Sequence, residues 1–343
     1  MNQRLVECVP NFSEGKDRSI IDSIVQPIID NAAVSLLDID MGGDFNRTVV
    51  TMVGEPEAVL ETVIACTTVA LELIDMRSHS GEHARMGAVD VVPFIPISGV
   101  TMSECVDLSR RYGISVSEEH SLPVFLYANS AATEQRLRLP EIRKGEYEGL
   151  AEKIITDEWK PDYGPAQFMP TMGATATGAR SLLIAYNVNL NTDDKKKANS
   201  IASKLRTSGS VVKDDDGAII RDDNGKALRN PGLFKHLQAA GWMYDDDTAQ
   251  VSMNLLEYSV TGLHHVTDAI CEEAAKIGLE AVAGELVGLV PLEAMLDAGR
   301  HYYGNLEGDH ETLVQQAIDG LMLDKLDDFN PNSNIIEWVI QER

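Results

Sequence analysis

The chain is short of basic side chains, of cysteine and of long apolar runs. Across 343 residues it holds 29 Lys and Arg against 54 Asp and Glu, a formal net charge of −25. Such a charge repels a nucleic-acid backbone or an anionic membrane surface, so neither is expected as a partner. The four cysteines, Cys8, Cys66, Cys105 and Cys271, lie too far apart for C-x-x-C metal or redox spacing and read as reduced packing residues. No stretch reaches the roughly 18 uncharged apolar residues of a membrane span, and the start MNQRLVECVPNFSEGKD lacks the apolar core of a secretory signal. A cytoplasmic protein is expected, in which the sequons at Asn11 and Asn46 carry no meaning. What the chain does have is apolar content, 44% of its residues, enough for one large or two medium domains and too much for intrinsic disorder.

Residues 5–10 read as a strand, followed by a helix from Arg18 with apolar positions at Ile21, Ile24, Val25 and Ile28. Strands are expected at 34–39 and 48–53, and Pro56 opens a long amphipathic helix through Val59, Val63, Cys66 and Ala70. A strand at 91–97, a helix at 103–112 and a strand at 124–127 follow. A Gly/Pro/Thr-rich stretch, 161–178, reads as a linker. The order then restarts: strand 181–190, helix 195–206, strands 237–244 and 250–260, helix 263–276, strand 280–287. Residues 213–230, with DDDG and DDNG turns, read as an exposed hairpin insertion. The expected fold is α+β, two ferredoxin-like βαββαβ-type subdomains facing each other across a substrate groove. The boundaries expected are 1–178, 179–300 and an acidic helical tail, 301–343.

The segment carrying chemistry is IDMRSHSGEHARMGAVD, residues 74–90. It places two His, two Arg, one Glu and two Gly between an apolar helix and an apolar strand, and functional groups gather on such loops. Three uses are open. His79 and His83 have the spacing of metal ligands on a helix, though Gly81 weakens a helix there and no carboxylate follows at a recognised spacing. A solvated loop tied by ion pairs is the plainest. General acid/base work by His83 with Arg85 as an anion clamp suits the residue types best, because imidazole titrates near neutrality and guanidinium binds carboxylates bidentately.

Several motifs together reach a known family. LVECVPNFSEG at 5–15, LLDID at 36–40, Asn46-Arg-Thr, the 74–90 loop, DVVPFIP at 90–96, Gly164-Pro, Gly173-Ala-Thr, Thr177-Gly-Ala-Arg180, Gly241-Trp, Asn254-Leu-Leu and GELVGLVP at 284–291 closely resemble the formiminotransferase family. The resemblance covers nearly the whole chain. It implies transfer of a formimidoyl group from N-formimidoyl-L-glutamate to N5 of tetrahydrofolate in histidine degradation, with tetrahydrofolate as co-substrate, no metal, and a homodimer. The family's catalytic histidine falls on His83. Its folate-contacting stretch falls on Gly164, Pro165, Ala166, Gln167, Phe168, Met169, Pro170, Thr171, Met172 and Gly173. Ala84 stands where the family usually has Pro, and Met172 where a Trp is common.

Given such substrates, Asp40 is a candidate carboxylate for favouring the cationic amidinium and imidazolium, with a turn residue before Gly42-Gly43 as the alternative. Arg47, Arg85 and Arg180 are candidates for holding substrate carboxylates, with structural ion pairs as the alternative. A folate-binding protein, or one salvaging 5-formyltetrahydrofolate, would use the same groove. The acidic excess lies away from the 74–90 loop: the helix after Glu55 and residues 301–343 carry it, while residues 77–87 hold two Arg against Glu82. A basic cleft within an acidic surface is therefore expected.

Overall fold

The computed structural model describes residues 4–43, 45–81, 84–214, 217–222, 224–304, 307–326 and 329–341. The chain divides into two compact units, Met1–Ser181 and Leu182–Arg343, and both mix helices with sheet. Among the described residues, no helix is long and apolar enough to cross a membrane.

In the first unit the strands are β1 Leu5–Cys8, β2 Asn11–Phe12, β3 Val34–Gly42, β4 Arg47–Gly54, β5 Val89–Ser98, β6 Val124–Ala128 and β7 Thr175–Ala179. The helices are α1 Arg18–Ile29, α2 Pro56–Leu73, α3 Met102–His120, α4 Leu139–Arg143 and α5 Glu146–Lys153. β4 lies between β3 and β1, and β1 also pairs with β5, all antiparallel. β7 runs parallel between β5 and β6.

The alternation of each strand decides what it faces. Val6, Cys8, Val50, Met52 and Phe94 pack against Ile21 and Ile24 of α1, Val63 and Cys66 of α2 and Tyr112 of α3. On the opposite face α4 and α5 cover one end of the sheet, where Ile142, Leu150 and Ile154 pack on Val91, Phe125, Tyr127 and Ala176. The other end of that face carries Glu7, Asp38, Asp40 and Arg47 on neighbouring strands.

Two differences from the sequence expectation stand out. Helix α3 runs on to His120 rather than stopping at 112, because Val116 continues the buried stripe of Cys105, Leu108, Ser109 and Tyr112. A capping box at Thr101 and Glu104 fixes its start. The end of the stretch expected as a linker is instead β7, TATGA, with every residue buried. Small residues suit a strand lying between two others and covered on both faces, and they leave neither an apolar run nor an alternation to read.

In the second unit, β8 Ile184–Leu190, α6 Lys195–Leu205, β11 Leu237–Met243, β12 Ala249–Leu255, α7 Leu263–Ala275 and β13 Ala281–Val287 follow one another. Between α6 and β11 the short strands β9 Ser210–Val211 and β10 Arg229–Asn230 pair to close the 213–230 insertion. The sheet order is β11-β12-β8-β13, all antiparallel. Helices α8 Leu292–Tyr303, α9 His310–Leu321, α10 Pro331–Asn334 and α11 Ile336–Gln341 complete this unit. Tyr186 of β8 ties α7 and α9 to the sheet, its hydroxyl 2.9 Å from Thr267 Oγ1 and donating to the Leu321 carbonyl at 3.3 Å.

Candidate functional site

The 74–90 loop enters from α2 and leaves into β5, and backbone bonds stitch it to the 164–173 stretch. Met76 N–H donates to the Thr171 carbonyl at 3.0 Å, Ala88 N–H to Met172 at 2.9 Å and Ala174 N–H to Met86 at 3.2 Å. Gly87 and Gly173 form a bridge. Gly173 has φ +72°, and a Cβ on it would stand 2.1 Å from the Met86 carbonyl oxygen. Only glycine tolerates both conditions. The stretch itself is held by Tyr147, whose hydroxyl donates to the Pro170 carbonyl at 2.6 Å and whose ring lies 5.3 Å from that of Phe168. Gly164, Ala166, Gln167, Pro170 and Thr171 are exposed.

Side chains fix the loop from the other directions. Asp75 accepts from the Arg77 backbone and guanidinium, which holds its carboxyl at about 2. His79 places one ring nitrogen, Nε2, 2.9 Å from the Asn46 carbonyl, while Nδ1 accepts from Arg85 Nε at 3.2 Å. The Arg85 bond requires a bare Nδ1, so the proton sits on Nε2. Burial also lowers the His79 pKa, with the neighbouring Arg85 adding to it. Asn46, at φ +47°, donates to the Ser80 carbonyl at 2.9 Å and accepts from Gly15 N–H at 3.0 Å. Gly81 packs so closely on this turn that a Cβ would meet the Phe45 carbonyl at 2.3 Å.

Arg85 is 6% exposed and commits its fork within the protein. Its two terminal nitrogens reach Glu148 at 2.9 and 2.6 Å, and one of them reaches Glu146 at 3.1 Å. The Glu148 bonds raise the Arg85 pKa, and the same bonds lower that of Glu148. A cleft of about 420 Å³ beside them is lined by His79, Ser80, Gly81, Arg85, Gly145, Glu146 and Glu148.

A second constellation lies on the sheet face opposite α1–α3. Arg47 begins β4 and is half-buried; burial lowers its pKa, Arg143 adds to this, and Asp90 and Asp40 oppose it. Asp90, 1% exposed, pairs with Arg143 and accepts from Met86 N–H at 2.8 Å. Asp40 is exposed, on β3 opposite Val49. Arg180 follows β7 and donates to the Ser181 carbonyl at 3.1 Å. Its charge acts on the buried Tyr127 hydroxyl and on Glu7, whose carboxyl burial pushes up to about 7 against the pull of Arg180. Three guanidiniums, Arg47, Arg143 and Arg180, thus share one region of an acidic chain.

A family model for the formiminotransferase domain, N-terminal subdomain, matches residues 5–180, and one for the formiminotransferase domain matches residues 185–341. The chain belongs to the formiminotransferase family. A glutamate formimidoyltransferase of Streptococcus pyogenes serotype M1 is 38% identical over 319 residues, 92% of this chain and 99% of that protein. A formimidoyltransferase-cyclodeaminase of Dictyostelium discoideum is 47% identical over 343 residues, 99% of this chain and 61% of that protein, and one of Sus scrofa is 45% identical over 99% of the chain and 60% of its own length. The chain therefore spans about three-fifths of the length of these bifunctional relatives.

Within this formiminotransferase chain, His83 and Glu82 lie outside the described residues. Residues on both sides of His83 are anchored as described, and the loop is joined to the 164–173 stretch. Asp40 and Arg47 are electrostatic neighbours, whereas Arg180 stands with Glu7 and Tyr127. The sequence expectation for Arg85, a clamp for a substrate carboxylate, meets a guanidinium engaged by Glu146, Glu148 and His79. His79 is an anchor of the loop. Both of its ring nitrogens have protein partners. Sequence reasoning also missed Asn46, Asp90, Arg143, Glu146, Glu148 and Glu7. For Asn46 and Glu7 the signal was there, inside the Asn46-Arg-Thr and LVECVPNFSEG motifs.

Proposed function

We propose that the protein is a glutamate formimidoyltransferase, moving the formimidoyl group of N-formimidoyl-L-glutamate to N5 of tetrahydrofolate and releasing L-glutamate, in the cytoplasm and as a homodimer. The observation that carries this is the backbone stitching of the His83-bearing loop to the 164–173 stretch, which supports a folate and a proton-transfer group acting in one place. The βαββαβ order of both units, with neighbours β3-β4-β1-β5 and β11-β12-β8-β13, supports a ferredoxin-like reading of each. In the same reading residues 1–178 and 179–300 are the two subdomains, and 301–343 is an acidic helical extension.

The chemistry divides into two proton transfers. N5 attacks the amidine carbon, a new C–N5 bond forms, and the proton of N5 must leave. The bond from that carbon to the glutamate nitrogen then breaks, and this nitrogen must gain a proton. His83 takes the first proton as a base and returns it as an acid, which needs one imidazole between the two nitrogens. Asp40, exposed at the end of β3, favours the cationic amidinium by its charge. Arg47 and Arg180 bind carboxylates of the substrates, and residues 164–173 bind the folate. Arg85 holds the loop that carries His83; a substrate carboxylate would reach its fork only in exchange for Glu146 or Glu148. Fixing both substrates in attack geometry supplies much of such a rate.

A spectrophotometric assay with tetrahydrofolate and formimidoylglutamate, together and singly, tests this. Glutamate release only when both are present is the expected result. Release without folate, or folate binding with no heat on adding formimidoylglutamate, would replace the transferase by a hydrolase or a folate-binding protein.

A further inference from the structure

Residues 143–148, in the first unit, close α4 and open α5. Arg143 pairs with Asp90, which in turn accepts from Met86 N–H at 2.8 Å. Glu146 takes one arm of the Arg85 fork at 3.1 Å, and Glu148 takes both arms at 2.9 and 2.6 Å. Tyr147, between those two carboxylates in the chain, donates instead to the Pro170 carbonyl at 2.6 Å and sets its ring 5.3 Å from that of Phe168. The Arg85 guanidinium lies 6.0 Å from the centre of the same ring. One short piece of chain thus grips the 74–90 loop at Arg85 and, through Asp90, at Met86, and grips the 164–173 stretch at Pro170 and Phe168.

The backbone here is itself constrained. Gly145 has φ +90° and Glu146 φ +54°. Glycine adopts the first freely, whereas a residue with a Cβ enters the left-handed region at a cost and stays there only where its surroundings hold it. Residues two apart on a regular helix do not face one another. The left-handed φ takes Glu146 off that regular path, and its carboxylate shares one guanidinium with that of Glu148. The turn is also fixed from α5: Lys153 donates to the carbonyls of Ile142 at 2.6 Å and Lys144 at 3.0 Å, and Gly149 N–H donates to the Gly145 carbonyl at 2.7 Å. A displacement of Tyr147 therefore carries with it the carboxylates that hold Arg85.

We propose that residues 143–148 are a joint that couples the 164–173 stretch to the loop carrying His83, with Tyr147 and Glu148 as its positioning residues. A substrate settling on the stretch sets the loop through this joint, which makes the binding of the two substrates interdependent. The link to catalysis rests on the proposed folate transfer, whereas the mechanical link does not.

Two mild variants test it. Tyr147→Phe keeps the ring beside Phe168 and loses only the bond to Pro170, and Glu148→Gln keeps the size and loses the charge on Arg85. Amide hydrogen exchange is followed residue by residue in the full chain without ligand. The readouts are His79 N–H, bonded to the Met76 carbonyl within the loop, and Gly173 N–H, bonded to the Met169 carbonyl within the stretch. Tyr147→Phe should speed exchange at His79, and Glu148→Gln at Gly173, each roughly tenfold, with the β5 amides unchanged. In the transfer assay each variant should lose roughly tenfold in kcat, with KM for tetrahydrofolate raised several-fold in Tyr147→Phe. The double variant should lose no more than the worse single one, because both act through one element. Exchange that quickens only on the side altered, or a double loss equal to the product of the single ones, overturns the joint. A wild type that transfers nothing overturns the transferase instead, and the exchange result then decides the joint alone.

Discussion

Arg85 is the point at which structure and chemistry can be separated. In Arg85→Lys the charge stays and the fork is lost: of the contacts to His79, Glu146 and Glu148, an ammonium keeps one or two. Glu146 and Glu148 are 44% and 64% exposed at the side chain, so solvent screening limits each ion pair to under about 1 kcal/mol. The Arg85 side chain is 8% exposed. Loss of its packing and of the donor to His79 Nδ1 adds to the ion-pair loss, for a total near 2 kcal/mol. In a unit of this size that lowers the melting temperature by about 4–8 °C. Displacing the His83 loop by about 1 Å should cost on the order of a hundredfold in kcat, with KM for formimidoylglutamate within about threefold of wild type. Glu148→Gln should do the same in weaker form, since it removes the partner and leaves Arg85 in place. Steady-state kinetics with each substrate varied, beside calorimetric melting, is the assay. A raised KM for formimidoylglutamate with unchanged kcat would refute the positioning role and restore Arg85 as a substrate clamp.

Other outcomes follow from particular residues. His83→Ala should fold normally, retain folate binding and lose turnover by roughly a hundredfold or more, read by circular dichroism, calorimetry and initial rates. Gly173→Ala should destabilise the first unit by about 2 kcal/mol or more and raise KM for folate, because its φ and the Met86 carbonyl both oppose a Cβ. Glu7, with its pKa raised to about 7 from 4.5, favours its neutral form when folded. Its contribution is therefore fully present below about pH 4.5 and lost as pH rises towards 7, on the order of 3 kcal/mol. Denaturant titrations of Glu7→Gln should show that much less loss of stability between those limits than wild type, and parallel curves would contradict the assignment. Thiol titration of the native protein should modify Cys271, which is exposed, well before the buried Cys8, Cys66 and Cys105, the latter two with thiols pushed up to about 12.

What could be read in advance depended on whether the signal was local. Helix α2 declares itself through Pro56 and a three-to-four spacing that its own residues supply, and the order of β8, α6, β11, β12, α7 and β13 is visible from alternation and turns. Strand β7 is not, since TATGA owes its place to the strands on either side of it. The same division holds in the site. The composition of residues 74–90 exposed the loop, because a mere connector has no use for two imidazoles and two guanidiniums. The occupation of Arg85 by Glu146 and Glu148, some sixty residues on, depends on how α5 docks. Asp90 gains its meaning only when α4 brings Arg143 to it. His79 and His83 look alike in the sequence, and only the Arg85 donor and the Asn46 carbonyl acceptor beside His79 reveal that its imidazole has a structural task.

The most direct test follows the carbon. Formimidoylglutamate labelled with ¹³C at the formimidoyl carbon, mixed with tetrahydrofolate and the protein, should give a carbon resonance bonded to folate N5, growing in step with free glutamate, and the same sample with His83→Ala should show almost none. Label appearing in formamide or formate, or remaining on glutamate, would contradict formimidoyl transfer by this protein.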